Sequence, residues 1–394
     1  MRALALYVHV PFCASKCHFC DWVVDVPVRQ LRQRGKERKP YIEAVCRQIS
    51  HYGPILMNSG YVPQVMYWGG GTAGRLDSEE MLAIHSALGR AFDMSTVNEW
   101  TIETTPNDVS EEKLLTMKQM GVTRISVGVQ SFDPLQLRTA GRAHTAEDAE
   151  NALALLRKHG FRNFNIDLIV GFPGEDAQRT LLTIDKAISF DPTHISAYPF
   201  RATPKTVMTT QIQRGRIVKP TLESLLAADE LAREALGRAG YHEYSHGYWV
   251  KDAQYEDRDA NYTYGMVGER IGFGSGADSI MRERFLRNNK SNYAGFINDP
   301  LGFDQIQPFS LKNPGMFVNH LGGALMTRDG LNFERLFNLT GVSFATLRET
   351  PPISAWLDYL RERGAEFLET DSDLQVAGPN KHKAYIAQLT GIVG

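Results

Sequence analysis

Tyr7 to Trp22 reads YVHVPFCASKCHFCDW, and this stretch decides how the rest of the chain is read. Its opening continues an apolar run, Leu4 to Val10, with the composition of a strand. Three cysteines follow at once: Cys13, Cys17 and Cys20, spaced C-x3-C-x2-C. Thiols this crowded are hard to pair with one another, and four cysteines in 394 residues make a poor disulfide framework, so metal binding is the better reading. Three thiolates rather than four leave one iron of a 4Fe-4S cubane without a protein ligand. Zinc competes for such thiols but wants a fourth close ligand, for which His18 stands in reach. Cys46 sits inside a helical pattern and reads as a packing residue.

Outward from this motif, short apolar runs alternate with helical periods. Leu4–Val10, Gln64–Trp68, Trp100–Thr104, Thr123–Val129, Asn163–Val170 and His194–Tyr198 read as strands. Pro40–Tyr52, Ser78–Phe92, Ser110–Met120, Thr145–Lys158 and Glu175–Ile188 read as the helices between them. Six such units predict an α/β fold, a partial (β/α)6 barrel over residues 1–220, with reactive groups at the carboxyl ends of the strands. Residues 221–299 read as an extension that completes the site. It begins with a long helical pattern after Pro220, continues through YHEYSHGYW at Tyr241–Trp249, which periodicity does not assign, and ends past the glycine-rich Arg270–Ser279. Past Asp299, with Pro300, Pro308 and Pro314 close by, residues 300–394 read as a smaller domain with helices over Asn319–Met326, Phe333–Leu339 and Ile353–Arg363.

Lys and Arg total 43 against 45 Asp and Glu, a formal net charge of -2, so no global field draws the chain to nucleic acid or to an anionic membrane. No apolar run approaches the ~20 residues of a membrane helix. The start, MRALALYVHV, shows no cleavage-site pattern, and a cytoplasmic location is expected.

The cysteine motif, with Tyr7, His9, Pro11 and Phe12 ahead of it, resembles the radical S-adenosylmethionine (SAM) family, in the branch of the oxygen-independent coproporphyrinogen oxidases and haem chaperones. The likeness continues through WGGGT at Trp68–Thr72, TIETTP at Thr101–Pro106, RISVGVQSF at Arg124–Phe132 and GRAH at Gly141–His144. Beyond these come NIDLIVGFPGE at Asn165–Glu175, ISAYPF at Ile195–Phe200, GFGSGADS at Gly272–Ser279 and, weakly, LMTRDGL at Leu325–Leu331. The resemblance implies a radical SAM barrel, a winged-helix-like C-terminal domain over the active site, and an electron donor such as flavodoxin or ferredoxin. It also implies that SAM chelates the open iron and that an electron from the cluster yields a 5'-deoxyadenosyl radical. By the same resemblance Gly69, Gly70, Gly71 and Thr72 let the SAM methionine portion approach the backbone, and Glu103 accepts from its ammonium group. Arg142 meets a carboxylate, Gln130 and Asp167 suit the ribose, and Phe19 packs near adenine.

Departures from the pattern choose a member of the branch. The oxidases carry a cysteine where this chain has Trp22. The chaperones carry histidine where it has Ala260, within ANYTYG at Ala260–Gly265, and where it has Asp278. Losing an imidazole removes a natural iron ligand. CHFCDW followed by VVDVP at Val23–Pro27 is similar instead to the class C radical SAM methyltransferases of natural-product and antibiotic biosynthesis. That resemblance implies an enzyme holding two SAM molecules and methylating an sp2 carbon of a thiazole- or indole-type heteroaromatic group, on a small molecule or modified peptide. The alternative is a haem chaperone or an oxygen-independent coproporphyrinogen III oxidase. The second SAM pocket is expected from Ala197, Tyr198, Tyr262 and Ala277, and the proton acceptor from Glu243, His246 and Asp278, with Tyr198 beside them.

Overall fold

The structure, a computed structural model, describes residues 2–21, 38–288, 293–377, 382 and 386. Trp22 and Val23–Pro27, which the choice of family member used, lie outside the described residues.

Six parallel strands lie side by side in chain order: β1 (Arg2–Val10), β2 (Tyr61–Gly70), β3 (Glu99–Thr104), β4 (Arg124–Gln130), β5 (Phe164–Val170) and β6 (His194–Pro199). Seven consecutive residues of β1, Leu4 to Val10, are buried, because a parallel strand is covered on both faces and cannot alternate with polar positions. The covering helices are α1 (Arg38–Asn58), α2 (Ser78–Ala91), α3 (Glu111–Met120), α4 (Pro134–Thr139), α5 (Ala146–Lys158) and α6 (Ala177–Ser189). Their starts are written in the sequence. Asp77 and Glu80 close a reciprocal cap on α2, and Thr145 and Asp148 do the same on α5. Gly121, at φ +88°, ends α3.

The sheet does not stop at six strands. After α7 (Val207–Gln213) and α8 (Leu222–Arg238), the unassigned aromatic stretch forms a hairpin, β7 (His242–Ser245) and β8 (Tyr248–Val250), with β8 antiparallel to β6. On the opposite edge, after α9 (Arg258–Thr263), β9 (Glu269–Phe273) pairs parallel to β1. The sheet continues outward as β10 (Asp278–Met281), β11 (Arg284–Asn288) and β12 (Phe303–Pro308), twelve strands in all, so it runs past residue 299, where the second domain was expected to begin. Short helix α10 (Tyr293–Asn298) packs on α1. The C-terminal part holds α11 (Gly315–Leu325), α12 (Phe333–Thr340), α13 (Phe344–Arg348) and α14 (Pro351–Glu362), with a small sheet of β13 (Leu331–Asn332), β14 (Glu366–Glu369) and β15 (Asp373–Ala377). Its core of Phe317, Leu321, Leu336, Leu357 and neighbours also takes in Met266 and Ile280, so it is packed onto the flank of the large sheet. Among the described residues no helix is long and apolar enough to cross a membrane.

Candidate cluster and cofactor site

Gly71 N–H donates to Val10 O at 2.8 Å, which ties the carboxyl end of β1 to that of β2 just before the cysteine loop. The loop is then held against the α4 end. His18 N–H donates to Ala140 O at 2.9 Å, and its Nδ1 lies 2.9 Å from Thr139 O. The ring rests on Gly141, where a Cβ would stand 2.6 Å from it. His18 thus fixes the loop against the α4 end through its backbone N–H and its Nδ1. Cys13 Sγ lies 3.6 Å from Thr72 Oγ1, and Arg142 Nη1 donates to Cys17 Sγ at 3.0 Å while Nη2 donates to Gly128 O. Cys20 N–H reaches Cys17 O at 3.3 Å. All three cysteines are half-buried, and none is in a disulfide. Burial pushes the Cys13 thiol up to about 11, opposed by the Thr72 hydroxyl and the Arg142 charge. Metal ligation demands the thiolate, so Arg142 is the cation that makes deprotonation here affordable. Cys46 stands apart, its Sγ 3.6 Å from Ala83 O between α1 and α2. The donor set fits a three-thiolate 4Fe-4S cluster.

At the end of β2 the glycines are required sterically. A Cβ on Gly69 would stand 2.5 Å from the Glu103 carboxylate, one on Gly70 2.5 Å from the His9 ring, and one on Gly71 2.7 Å from the Pro11 backbone. Gly70 also has φ +108°. Glu103, at the end of β3, accepts from Tyr67 Oη at 2.6 Å and Gly70 N at 3.1 Å. Burial, with help from the Asp167 charge, still pushes it up to about 7. A buried carboxylate so poised is suited to a cationic ligand group, which would hold it ionised. Gln130, at the end of β4, takes φ +71° and brings its amide to within 3.0 Å of where a Gly128 Cβ would be, beside Arg142. Cys13, Cys17, Thr72, Glu103, Gln130 and Arg142 thus share one face at the strand ends.

Asp167 lies deeper on β5, accepting from Ser126 Oγ at 2.9 Å and Asn165 Nδ2 at 2.8 Å. Asn165 continues inward to His194 Nδ1 at 2.7 Å, whose Nε2 lies 2.8 Å from Tyr244 Oη. Below this chain sits Arg124, fully buried and paired with Asp257 at 3.1 Å, with Glu99 held up to about 8 by burial and the Asp257 charge. Nothing in residue spacing marks that pairing, because its members lie on β3, β4 and the turn before α9. Tyr198 joins Tyr248 at 5.4 Å between ring centres, and Tyr248 also meets Tyr244 and Tyr264, an aromatic wall on the hairpin side. A cavity of about 190 Å³ lies beyond it, lined by Tyr244, Asn261, Tyr264, Arg328 and Arg335 among others.

Other expected site residues are placed elsewhere. Phe19 packs edge-on against Phe172, in a cluster with Phe200 and Leu225. Tyr262 packs on Ala5 and Val65, midway along β1 and β2 and not at their carboxyl ends. Ala197 N–H donates to Gly247 O at 2.7 Å, and Ala277 is buried in the Gly274 turn. Glu243 is bound to Arg233 at 2.6 Å, and His246 faces Asp229 and His382. Neither lies with the strand-end group. Asp278 lends its backbone O to Arg270, whose guanidinium lies over the Tyr7 ring at 4.1 Å.

Comparison with known proteins follows the same lines. The Radical SAM superfamily pattern matches residues 7–187. The haem chaperone HemW of Bacillus subtilis (strain 168) is 30% identical over 273 residues, 69% of this chain and 69% of that one. The haem chaperone HemW of Escherichia coli (strain K12) is 28% identical over 306 residues, 77% and 76% of the two chains. The oxygen-independent coproporphyrinogen III oxidase of Paracoccus denitrificans (strain Pd 1222) is 28% identical over 245 residues, 61% and 52%. Among solved structures, the coproporphyrinogen III oxidase HemN of Escherichia coli matches with a TM-score of 0.76 at 20% identity, covering 98% of this chain and 90% of that one, a likeness of fold. These findings overturn the expected class C methyltransferase, and with it the expected methyltransferase enzyme and the antibiotic-biosynthesis setting. That expectation gave single positions, Ala260 and Asp278, more weight than the likeness of the whole chain, and its positive support, Val23–Pro27, lies outside the described residues.

Proposed function

Since the chain belongs to the radical SAM superfamily, in the branch of the haem chaperones and oxygen-independent coproporphyrinogen oxidases, we infer that it is a haem chaperone of the cytoplasm. The observation carrying this reading is the extent of the likeness. The 273 and 306 residues aligned with haem chaperones exceed the 7–187 stretch of the superfamily pattern, so the relationship continues past the shared radical domain.

The family implies a 4Fe-4S cluster and SAM, and the residues for both are at hand. Cys13, Cys17 and Cys20 would hold the cluster, with Arg142 offsetting the thiolate charge. Glu103 would hold the SAM ammonium group, the Gly69–Gly71 backbone its methionine portion, and Gln130 and Asp167 its ribose. The cluster, when bound, supplies a single electron at low potential, delivered by a donor such as flavodoxin or ferredoxin. Only methyl transfer called for a second SAM, so one molecule suffices here.

Haem is a flat apolar ring that wants aromatic walls and an axial ligand. Tyr198, Tyr248 and Tyr264 supply the first. For the second, Ala260 and Asp278 offer no imidazole, but His320 on α11 does. Its Nδ1 lies 2.8 Å from Met316 O, and when that nitrogen carries the proton Nε2 is left as the metal-binding atom. Burial lowers its pKa, which keeps the ring neutral. Helix α11 reaches the aromatic wall one turn later, where a Cβ on Gly323 would stand 2.6 Å from the Tyr264 ring.

The test is a haem titration of anaerobically reconstituted protein. The expected result is a saturable Soret shift at one haem per chain, weakened about tenfold or more in His320→Ala. Absence of saturable binding overturns the reading, and decarboxylation of coproporphyrinogen III in the presence of SAM and reductant would replace it with the oxidase.

A further inference from the structure

Two imidazoles and a carboxylate meet at the tip of the β7–β8 hairpin, away from the cysteine loop. His246 occupies the turn, Asp229 lies on α8, and His382 comes from the C-terminal segment after β15. His246 and Asp229 are 3% and 5% exposed, and the His382 side chain 19%. The two Nδ1 atoms lie 3.0 Å apart, and His246 Nε2 is 3.8 Å from Asp229 Oδ1. One ligand atom from each residue can be chosen so that all three lie within 4.8 Å of one another. Ligand atoms around a tetrahedral zinc ion at ~2.0–2.1 Å stand about 3.4 Å from each other, so small side-chain rotations bring this set to bonding distance.

We propose that Asp229, His246 and His382 form a site for a divalent transition-metal ion of the zinc type, which clamps the C-terminal segment onto α8 and the hairpin. The charge balance admits a cation. Among the described residues Arg233 is already paired with Glu243 at 2.6 Å, and Asp229 adds a further carboxyl group to the cluster. Arg233 Nη1 also lies 3.0 Å from His382 Nδ1, so metal binding through that nitrogen displaces this contact and leaves Arg233 to Glu243 and the Trp249 ring. Glu243 Oε2, 3.7 Å from His382 Nε2, orients that ring from behind in the manner of a carboxylate backing a metal-bound histidine. Two imidazoles with one carboxylate leave a fourth position for water, and imidazole favours zinc, copper or nickel over magnesium or calcium.

The placement gives the clamp a consequence. Gly247 O accepts from Ala197 N on β6, and His246 N–H donates to Met326 O at the end of α11, so the hairpin tip bridges barrel and C-terminal part. A metal there ties together three segments that share no covalent neighbour, and binding to the folded state alone raises stability.

The test uses cluster-loaded protein, so that Cys13, Cys17 and Cys20 are occupied. One equivalent of Zn2+ is added, excess is removed by desalting, and zinc, iron and sulfide are measured with the melting temperature. The expected result is one retained zinc per chain and a melting temperature raised by about 3 °C or more. His382→Gln, at the most exposed ligand, should lose at least tenfold in zinc affinity and the whole thermal shift with iron and sulfide unchanged. Asp229→Asn should weaken zinc less. No retained zinc on the wild-type protein, or unchanged affinity in His382→Gln, overturns the site. Neither outcome depends on haem binding.

Discussion

The cysteine loop and the hairpin flank differ in how their parts are spaced along the chain, and that difference decides what each can reveal. The loop packs Cys13, Cys17 and Cys20 into a few residues and draws its partners from the ends of consecutive strands, at Thr72, Glu103, Gln130 and Arg142. The residues beyond it that decided the reading, Asp229, His246, Ala260, Asp278, His320 and His382, come from helices, a turn, a strand and the C-terminal part, spread over more than a third of the chain. The first region falls within residues 7–187, which match the superfamily pattern; the second lies outside them.

The loop side can be broken most completely. Replacing Cys13, Cys17 or Cys20 singly by alanine should abolish bound iron and sulfide and all reductive cleavage of SAM while leaving the circular dichroism spectrum unchanged, since each thiol is half-buried and outside the main core. Iron retained at wild-type level in any of the three would end the cluster assignment.

Next in size is the ion cluster beneath both regions. Arg124 is 1% exposed, and its Nε and Nη2 find no hydrogen-bond partner among the described residues, so its charge is balanced chiefly by Asp257 and Glu99. Arg124→Met strands the buried Asp257 carboxylate and should cost about 3–5 kcal/mol in denaturant unfolding. Adding Glu99→Gln and Asp257→Asn should recover much of that loss, because no uncompensated charge is then left. A single-variant cost below about 1 kcal/mol would show that the cluster does not bind the strands together.

Glu103 sharpens the comparison through pH. With its carboxyl raised to about 7, the ligand-free protein keeps this residue's contribution to stability below the ordinary carboxylate range and loses it as pH rises through 7. SAM binding runs the opposite way, since its ammonium group needs the ionised form. Affinity for SAM should rise about tenfold between pH 6 and pH 8, and Glu103→Gln should bind weakly with that slope removed. The same slope in Glu103→Gln would place the titrating group elsewhere.

The strands and helices of the first half were legible because parallel β/α units write themselves as apolar runs and capped amphipathic periods; all six strands and four of the six covering helices lie within a few residues of where periodicity puts them, α1 runs six residues longer, and the short α4 was not read. The cluster loop was legible for the same local reason. The β7–β8 hairpin was not, because alternating tyrosines and histidines there face other aromatic rings and an ion pair, which leaves no apolar period to read. Strands β9 to β12 were hidden because their pairing is long-range, β9 with β1 and β11 with β12. The choice of methyltransferase rested on the flank, where missing imidazoles at residues 260 and 278 were weighed above the likeness of the whole chain to the haem chaperones, which overturned it.

The smallest effect distinguishes the fourth cysteine from the other three. Cys46 makes one weak contact, Sγ to Ala83 O at 3.6 Å between α1 and α2, and burial raises its pKa. Such a thiol behaves as a small apolar group and is a poor nucleophile and ligand. Cys46→Ala should therefore cost about 1 kcal/mol or less in unfolding, leave iron and sulfide content unchanged, and leave zinc uptake at the hairpin untouched. Loss of iron in this variant would mean that Cys46 reaches the cluster, which would close the open corner where SAM must bind.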